Sequence, residues 1–207
     1  MQFHRALRLW SVLLAVVFLG PAMAQETTPA SVPMDDTAGE RQDFTQFFCR
    51  GLKSLEIEAS WAQQHHIPTD ARSSLEGVGL HLTGLRFHSR RSATGLELEF
   101  SSLSGEPRST TMWTGSWLYR RYYSLEPRRA MYWQGGGGAA YLTTLIPEQS
   151  SNWNFYMEAA TGAQWPTGNN GAWKAEYRFF HVSNAGTSRR NQGINASQLL
   201  VGRSIYF

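Results

Sequence analysis

Hydrophobic and polar residues alternate along most of the chain after residue 50, in segments of roughly ten residues separated by turn-forming residues. In the first segment, Leu55, Ile57 and Trp61 share one face, whereas Glu56 and Glu58 lie on the other. Because successive side chains of a strand point to opposite faces, this pattern predicts β-strands. We expect eight of them, at residues 51–61, 75–88, 94–103, 111–124, 130–145, 152–160, 171–183 and 197–207.

Two details of these segments concern the side chains within the predicted sheet. The alternation slips near Gly84, where we expect an irregularity such as a β-bulge. The polar faces carry charges of both signs, which we expect to pair in a common network. The charged residues of this predicted network are Glu97, Glu99, Glu176, Arg86, Lys174 and Arg178.

Such strands could build a water-soluble sandwich or a membrane-spanning barrel, and three features favour the barrel. The segments have about the 9–11 residues that a tilted strand needs to cross a bilayer. Tryptophan and tyrosine recur on the apolar face near strand ends, as in interfacial girdles. The last segment ends on an aromatic residue, Phe207, as outer-membrane proteins do, although Arg203 interrupts its apolar face. The predicted fold is all-β, an eight-stranded antiparallel transmembrane β-barrel of the outer membrane.

The amino-terminal composition predicts an exported protein. Arg5 and Arg8 precede an apolar run at 9–19 and then Ala22-Met23-Ala24, which is typical of a secretory signal peptide at residues 1–24. Residues 25–48, rich in Thr, Pro, Asp and Glu, are expected to form a periplasmic extension or strap, and residues 49–207 the barrel. The single cysteine excludes an intrachain disulfide. A net charge of +3 is too small to indicate a nucleic-acid partner.

The seventh segment ends on a histidine and a serine two positions apart, His181 and Ser183. On a strand such residues share a face about 7 Å apart, so the imidazole can reach the hydroxyl. A serine hydroxyl is a poor nucleophile until an adjacent base takes its proton. Counting from Trp173 places both side chains on the lipid-facing side, where unpaired polar groups cost free energy.

Topology gives this pair two interpretations. With both termini in the periplasm, the seventh strand runs toward the cell surface, and the pair would meet a lipid substrate in the outer leaflet. Alternatively, both side chains lie above the bilayer and simply pair with each other.

The residues around the pair resemble the signature of the lipid A 3-O-deacylases of the PagL type. The motif reads Tyr177-Arg178-Phe179-Phe180-His181-x-Ser183-Asn184-Ala185-Gly186, followed by Asn191-x-Gly193. Members of this family are eight-stranded outer-membrane barrels that hydrolyse the ester holding the 3-linked hydroxyacyl chain on lipid A. Upstream of the motif, the resemblance is limited to strand number, size and the signal peptide.

Carried over by motif, the resemblance implies a serine esterase that acts on lipid A or lipopolysaccharide in the outer membrane, without a cofactor or metal. Ser183 would be the nucleophile and His181 its base. Asn184 and the backbone N–H of Gly186 would hold the oxyanion. The catalytic site would therefore lie on the seventh strand and in the last external loop.

One position departs from the family pattern. The third catalytic residue of the family is a glutamate fourteen places after the histidine, and here that place is Asn195. An asparagine can orient the imidazole by accepting its Nδ1–H, but it cannot offset the charge of the imidazolium. We therefore expect a slower enzyme. If the hairpin turns near Ser188, Asn195 lies across from His181.

Two other functions remain open. Outer-membrane phospholipase A also has a His-x-Ser-Asn run with an asparagine as third residue, but its barrel is larger and depends on calcium and dimerisation. The other alternative is a non-catalytic structural barrel that has kept a decayed site. The sequence leaves open a homodimer, the preferred acyl length and the role of Cys49.

Overall fold

The computed structural model describes residues 45, 48–65, 73–167 and 170–207. It contains β1 (Lys53–His65), β2 (Ser74–Ser89), β3 (Ser92–Glu106), β4 (Thr110–Glu126), β5 (Arg129–Leu142), β6 (Trp153–Pro166), β7 (Gly171–Ser183) and β8 (Ile194–Tyr206). Each strand pairs antiparallel with the next and β8 pairs with β1, which closes the barrel. The predicted eight-stranded antiparallel barrel is confirmed.

Several sequence predictions fall outside these residues. The predicted signal peptide at 1–24 lies outside them, as does most of the predicted extension at 25–48. Within the described ranges, no helix is long and apolar enough to span a membrane.

Several strands extend beyond the segments that polarity predicts. β1 continues past its predicted end at residue 61 to His65, and β4 has 17 residues. Backbone pairing continues past the alternating segment because each N–H and C=O needs a partner whatever its side chain. The extension of β1 matters because it places His65 opposite Asn195 of β8.

The prediction of an irregularity near Gly84 is wrong. Gly84 keeps its register with both neighbouring strands, and the only shift between β2 and β3 lies further on, between Phe87 and Ser89. The apolar residues of β2 occupy inward positions there because the barrel interior becomes apolar toward this end. Leu85 and Phe87 are buried inside it. With the strand regular, Arg86 points outward and is exposed, so it does not belong to the interior charge network.

The interior is filled by charged side chains that pair with one another. Arg120 donates two hydrogen bonds to the Glu56 carboxylate, at 2.6 and 2.8 Å. Lys174 joins Glu56 to Glu58, at 2.8 and 2.7 Å. All four side chains are fully buried. Buried charges persist only when they are paired and hydrogen-bonded, so these contacts lock strands from opposite sides of the barrel together.

A second part of the network surrounds Arg178, whose guanidinium bonds the carboxylates of Glu97 and Glu176 and lies 2.8 Å from Glu158. Glu99 accepts a hydrogen bond from the Gln198 amide at 2.7 Å. Except for Arg86, the predicted members of the charge network all lie in this interior.

Apolar clusters close the network at both ends of the barrel. At the end where β1 begins and β8 ends, here called the terminal end, Phe48 packs its ring against Phe87, Tyr122 and Tyr206. Phe48 is the last residue of the predicted extension, yet it is buried in the barrel mouth. At the opposite end, called the loop end, a second cluster includes Ile146, which belongs to the loop between β5 and β6.

The outer wall is apolar, with tryptophans near both ends. Leu96 and Leu98, midway along β3, are 66% and 63% exposed. Two exposed tryptophans, Trp113 and Trp153, lie near the loop end, and Trp165 lies near the terminal end. An apolar band between aromatic girdles is the surface of a transmembrane barrel.

The charge network predicts a large stability difference between neighbouring arginines on β4. Arg120→Met leaves Glu56 without its bidentate partner and should lower the free energy of unfolding by about 3–5 kcal/mol. Arg121→Met changes the exposed neighbour and should alter it by less than about 1 kcal/mol. Urea unfolding in lipid vesicles measures both values, and equal effects of the two substitutions would contradict the paired interior.

Candidate active site

Three predicted site residues meet on the outer wall, near the loop end of β7 and β8. His181 and Ser183 lie two positions apart on the outward face of β7, and Asn195 is the direct partner of His181 on β8. His181 Nδ1 lies 2.7 Å from Asn195 Oδ1. Because a carbonyl oxygen can only accept, the ring donates its Nδ1–H, and the neutral imidazole keeps its lone pair on Nε2. This tautomer is the one that a general base requires.

His181 and Ser183 are aligned but make no hydrogen bond to each other in the described structure. Both side chains are half-buried on the same face of β7. Contacts between a nucleophile and its base are often long in an enzyme without substrate and tighten when the substrate binds. The strand therefore places the two side chains on one face, and a direct contact between them stays a prediction.

Gly193 holds the histidine ring from the loop side. Its φ of +76° lies in the left-handed region, where glycine is favoured. A Cβ atom at this position would lie 2.7 Å from His181 Cε1. Any larger residue would push the ring away from Asn195, so this motif glycine has a local physical reason.

The two predicted oxyanion residues are engaged within the loop at 184–193. Asn184 is fully buried, and its Nδ2 donates to the Arg190 carbonyl at 2.6 Å. The Gly186 N–H donates to Asn184 Oδ1 at 3.0 Å, which folds the residues after Ser183 into a tight turn. The Gly186 N–H and one of the two hydrogens of the Asn184 amide already have partners, and the oxyanion role of these residues stays a prediction.

A second loop, at 143–152, holds the loop at 184–193 in place. Ser150 Oγ accepts the N–H of Arg190 at 2.9 Å. Gln149 forms an isolated β-bridge with Asn191, and its side-chain amide donates to the Val182 carbonyl at 3.3 Å. These contacts anchor both the loop and the end of β7, where Ser183 lies.

Asn191 connects the contact between the two loops to the candidate nucleophile. Its Oδ1 accepts the N–H of Asn184, which is the residue after Ser183. The loop at 143–152 is fixed in turn by Glu148, whose buried carboxylate accepts the N–H and the hydroxyl of Ser73, both at 2.7 Å. Asn191 belongs to the sequence motif, whereas Glu148 and Ser73 carry no periodic or motif signal, so sequence reasoning missed these two.

The surroundings of the site are apolar on one side. Met157 lies opposite His181 on β6, and Phe155 lies opposite Ser183. Their side chains are 63% and 56% exposed on the outer wall. Across the described ranges, no group of three histidine, cysteine or acidic residues could hold a metal ion.

The loop contacts predict that Ser150 orders the residues after the nucleophile. Ser150→Ala removes about 1 kcal/mol of hydrogen bonding, so the amides at 184–193 should exchange about fivefold faster. Hydrogen exchange in detergent micelles measures this rate. Ser151→Ala is the matched control, because its hydroxyl bonds the Trp153 carbonyl beside its own loop. Equal exchange rates at 184–193 in both variants would contradict the anchoring role.

Comparison with known proteins identifies the family. The family model described as lipid A 3-O-deacylase (PagL) matches residues 76–204, which include the whole candidate site. No curated protein is significantly similar to the chain.

Three crystal structures share the fold. Neisserial surface protein A has a TM-score of 0.58 at 10% identity, covering 76% of this chain and 100% of its own. OprG from Pseudomonas aeruginosa has a TM-score of 0.52 at 10% identity, covering 78% and 98%. The outer membrane enzyme PagL has a TM-score of 0.51 at 16% identity, covering 72% and 98%.

These structures support the barrel but give no support to the homodimer that the sequence left open. The protein is located in the outer membrane, as the alternation predicted. This follows from the matched family and from the outer-membrane barrels among the structures similar to this chain. The resemblance first suggested by the motif is confirmed: the chain belongs to the lipid A 3-O-deacylase (PagL) family.

Proposed function

We propose that the protein is a serine esterase that removes the ester-linked 3-hydroxyacyl chain from position 3 of lipid A. The observation that carries this proposal is the hydrogen bond between His181 and Asn195, next to Ser183 on the outer wall. Family membership supplies the substrate class. The bond supplies an imidazole in the correct tautomer, aligned with a serine on the same strand.

The proposed reaction proceeds through an acyl-enzyme. Ser183 Oγ attacks the ester carbonyl while His181 Nε2 takes the hydroxyl proton. The imidazolium then gives this proton to the sugar oxygen, which leaves as the C–O bond of the ester breaks. In the second half, His181 takes a proton from the water that attacks the acyl-serine. It returns this proton to Ser183 Oγ as the bond between Oγ and the acyl carbon breaks and the fatty acid leaves.

Asn195 has an orienting role in this proposal. Its amide oxygen fixes the Nδ1–H of His181 and so keeps the Nε2 lone pair available for Ser183. An amide carries no charge, so the imidazolium formed in each half-reaction receives less stabilisation than a carboxylate would give. We infer a working but slower catalyst than one with a glutamate at this position.

The outer wall is the surface at which a membrane lipid would reach this site. The interior is occupied by paired charges and leaves the chemistry to the outside. With both termini in the periplasm, the loop end and Ser183 lie at the outer leaflet. Phe155 and Met157, beside the pair, would contact the acyl chain that is cleaved.

The proposed activity predicts a defined mass change in the lipid A of a Gram-negative host. Expression of the wild-type protein should remove one hydroxyacyl chain from a substantial fraction of the lipid A, as measured by mass spectrometry. Ser183→Ala and His181→Ala should each abolish the change, because they remove the nucleophile and its base. Ser102→Ala, which removes an exposed hydroxyl from β3, should have no effect.

Two outcomes would reject this assignment. Unchanged lipid A in cells that contain folded barrel would favour a non-catalytic structural protein. Phospholipid turnover stimulated by calcium, without loss of an acyl chain from lipid A, would instead favour a phospholipase.

Asn195→Glu predicts a gain of activity. A carboxylate at this position can both orient His181 and stabilise its charged form, so deacylation should become faster by roughly tenfold or more. Initial rates on purified lipid A in detergent measure the change, and Asn195→Ala, which lacks an acceptor, should be slower than the wild type. A glutamate variant as slow as the alanine variant would show that position 195 does not serve the imidazole.

A further inference from the structure

The outer wall carries hydrogen-bonded polar side chains on one side of the candidate site and apolar side chains on the other. Three outward side chains on adjacent strands, His65 of β1, Ser197 of β8 and Tyr177 of β7, form what is here called the polar patch. On the other side of the site, β6 presents Phe155 and Met157. The polar patch belongs to none of the catalytic roles proposed above.

Hydrogen bonds join the three residues through Ser197. Its Oγ lies 2.6 Å from His65 Nε2 and 2.6 Å from the Tyr177 hydroxyl. Polar groups on a lipid-facing wall cost free energy unless they are paired, and this internal pairing makes the patch tolerable in a membrane. Tyr177 remains 51% exposed, so its side chain is accessible from the lipid side.

The polar patch contains no carboxylate and no arginine or lysine side chain. Two hydroxyls and an imidazole both donate and accept hydrogen bonds. The only charged side chain on the outward face of β8 is Arg203, which lies near the terminal end over the Trp173 ring. A phosphate would call for arginine or lysine. Hydroxyl and amide groups are the better match for this patch.

The depth of the polar patch in the bilayer further limits the chemical groups that it could bind. Ser197 pairs with Phe179, one outward position deeper than the pair of His181 and Asn195. Ser183 lies one further outward position above His181, so Ser197 lies two such steps, about 13 Å along a tilted strand, below the candidate nucleophile and among the upper parts of the acyl chains. The polar groups that a lipid carries at this depth are its acyl linkages and any hydroxyls near the chain heads.

The register of the paired strands also indicates from which side of the site a lipid would reach the polar patch. His65 lies opposite Asn195, which lies opposite His181, and Met157 follows on β6. The polar patch and the apolar side chains of β6 therefore flank the site on opposite sides. A lipid with its ester at Ser183 would place the cleaved chain toward β6 and its retained chains toward β8 and β1.

We propose that His65, Ser197 and Tyr177 form a binding subsite for the hydroxyl and amide groups near the heads of the acyl chains that the lipid retains. This subsite rests on the proposed function for its substrate, and it would hold lipid A beside Ser183 through contacts that are equally strong before and during the reaction. It would also distinguish lipids with hydroxylated, amide-linked chains from glycerophospholipids, whose ester-linked chains lack both groups.

The test separates binding from catalysis. Native mass spectrometry in detergent measures binding of lipid A and of phosphatidylglycerol to the protein carrying Ser183→Ala, in which the proposed reaction cannot proceed. Adding Ser197→Ala and Tyr177→Phe removes both hydroxyls and should weaken lipid A binding about tenfold, with phosphatidylglycerol binding unchanged. Adding Ser102→Ala and Tyr119→Phe makes the same chemical changes on β3 and β4 and should weaken neither.

Equal lipid A binding in the two double variants would overturn the subsite, as would an equal loss of both lipids. In the protein with an intact Ser183, the patch variant should raise KM for lipid A and leave kcat unchanged, whereas a merely structural defect would lower kcat. The two proposals can fail separately. Patch-dependent binding without any hydrolysis would remove the esterase and leave the subsite, and hydrolysis with patch-independent binding would do the reverse.

Discussion

The closed pairing of strands is the constraint on which the rest of the structure depends. A lipid environment supplies no partner for backbone N–H and C=O groups, so each must be bonded within the sheet. The closure of β8 on β1 meets this requirement and fixes a side for every residue. Odd positions from Trp173 to Ser183 face outward, and even positions such as Lys174 and Arg178 face inward. Side-chain chemistry is therefore divided between two separate surfaces.

This division explains why paired ions and candidate catalytic residues can occupy the same strand. The inward residues of β7 neutralise carboxylates from β1 and β3, which keeps the barrel closed and its interior filled. The outward residues at the loop end are left for contact with lipid. In the proposed function, His181 and Ser183 act from the outer face of a strand whose inner face is held by the ion pair of Glu176 and Arg178.

Much of this could be predicted from the sequence, because period-two alternation and a short motif are local signals. These signals were sufficient to predict the barrel, the outward orientation of His181 and its pairing with Asn195 on the neighbouring strand. The alternation gave a wrong prediction at Gly84. Apolar residues that point into the barrel there produce the same sequence pattern as a strand irregularity. The contact between Ser150 and Arg190, and the buried Glu148, depend on how distant loops fold over the barrel mouth, for which the sequence carries no periodic signal.

The central claim is that a serine on the lipid-facing wall is activated by the histidine two residues before it. Labelling with a long-chain alkyl fluorophosphonate, followed by peptide mass spectrometry of the purified barrel, tests this claim most directly. We expect a single modified residue, Ser183, and labelling that is lost in His181→Ala while the barrel stays folded. Modification at another serine, or labelling of Ser183 at an unchanged rate without the imidazole, would contradict it.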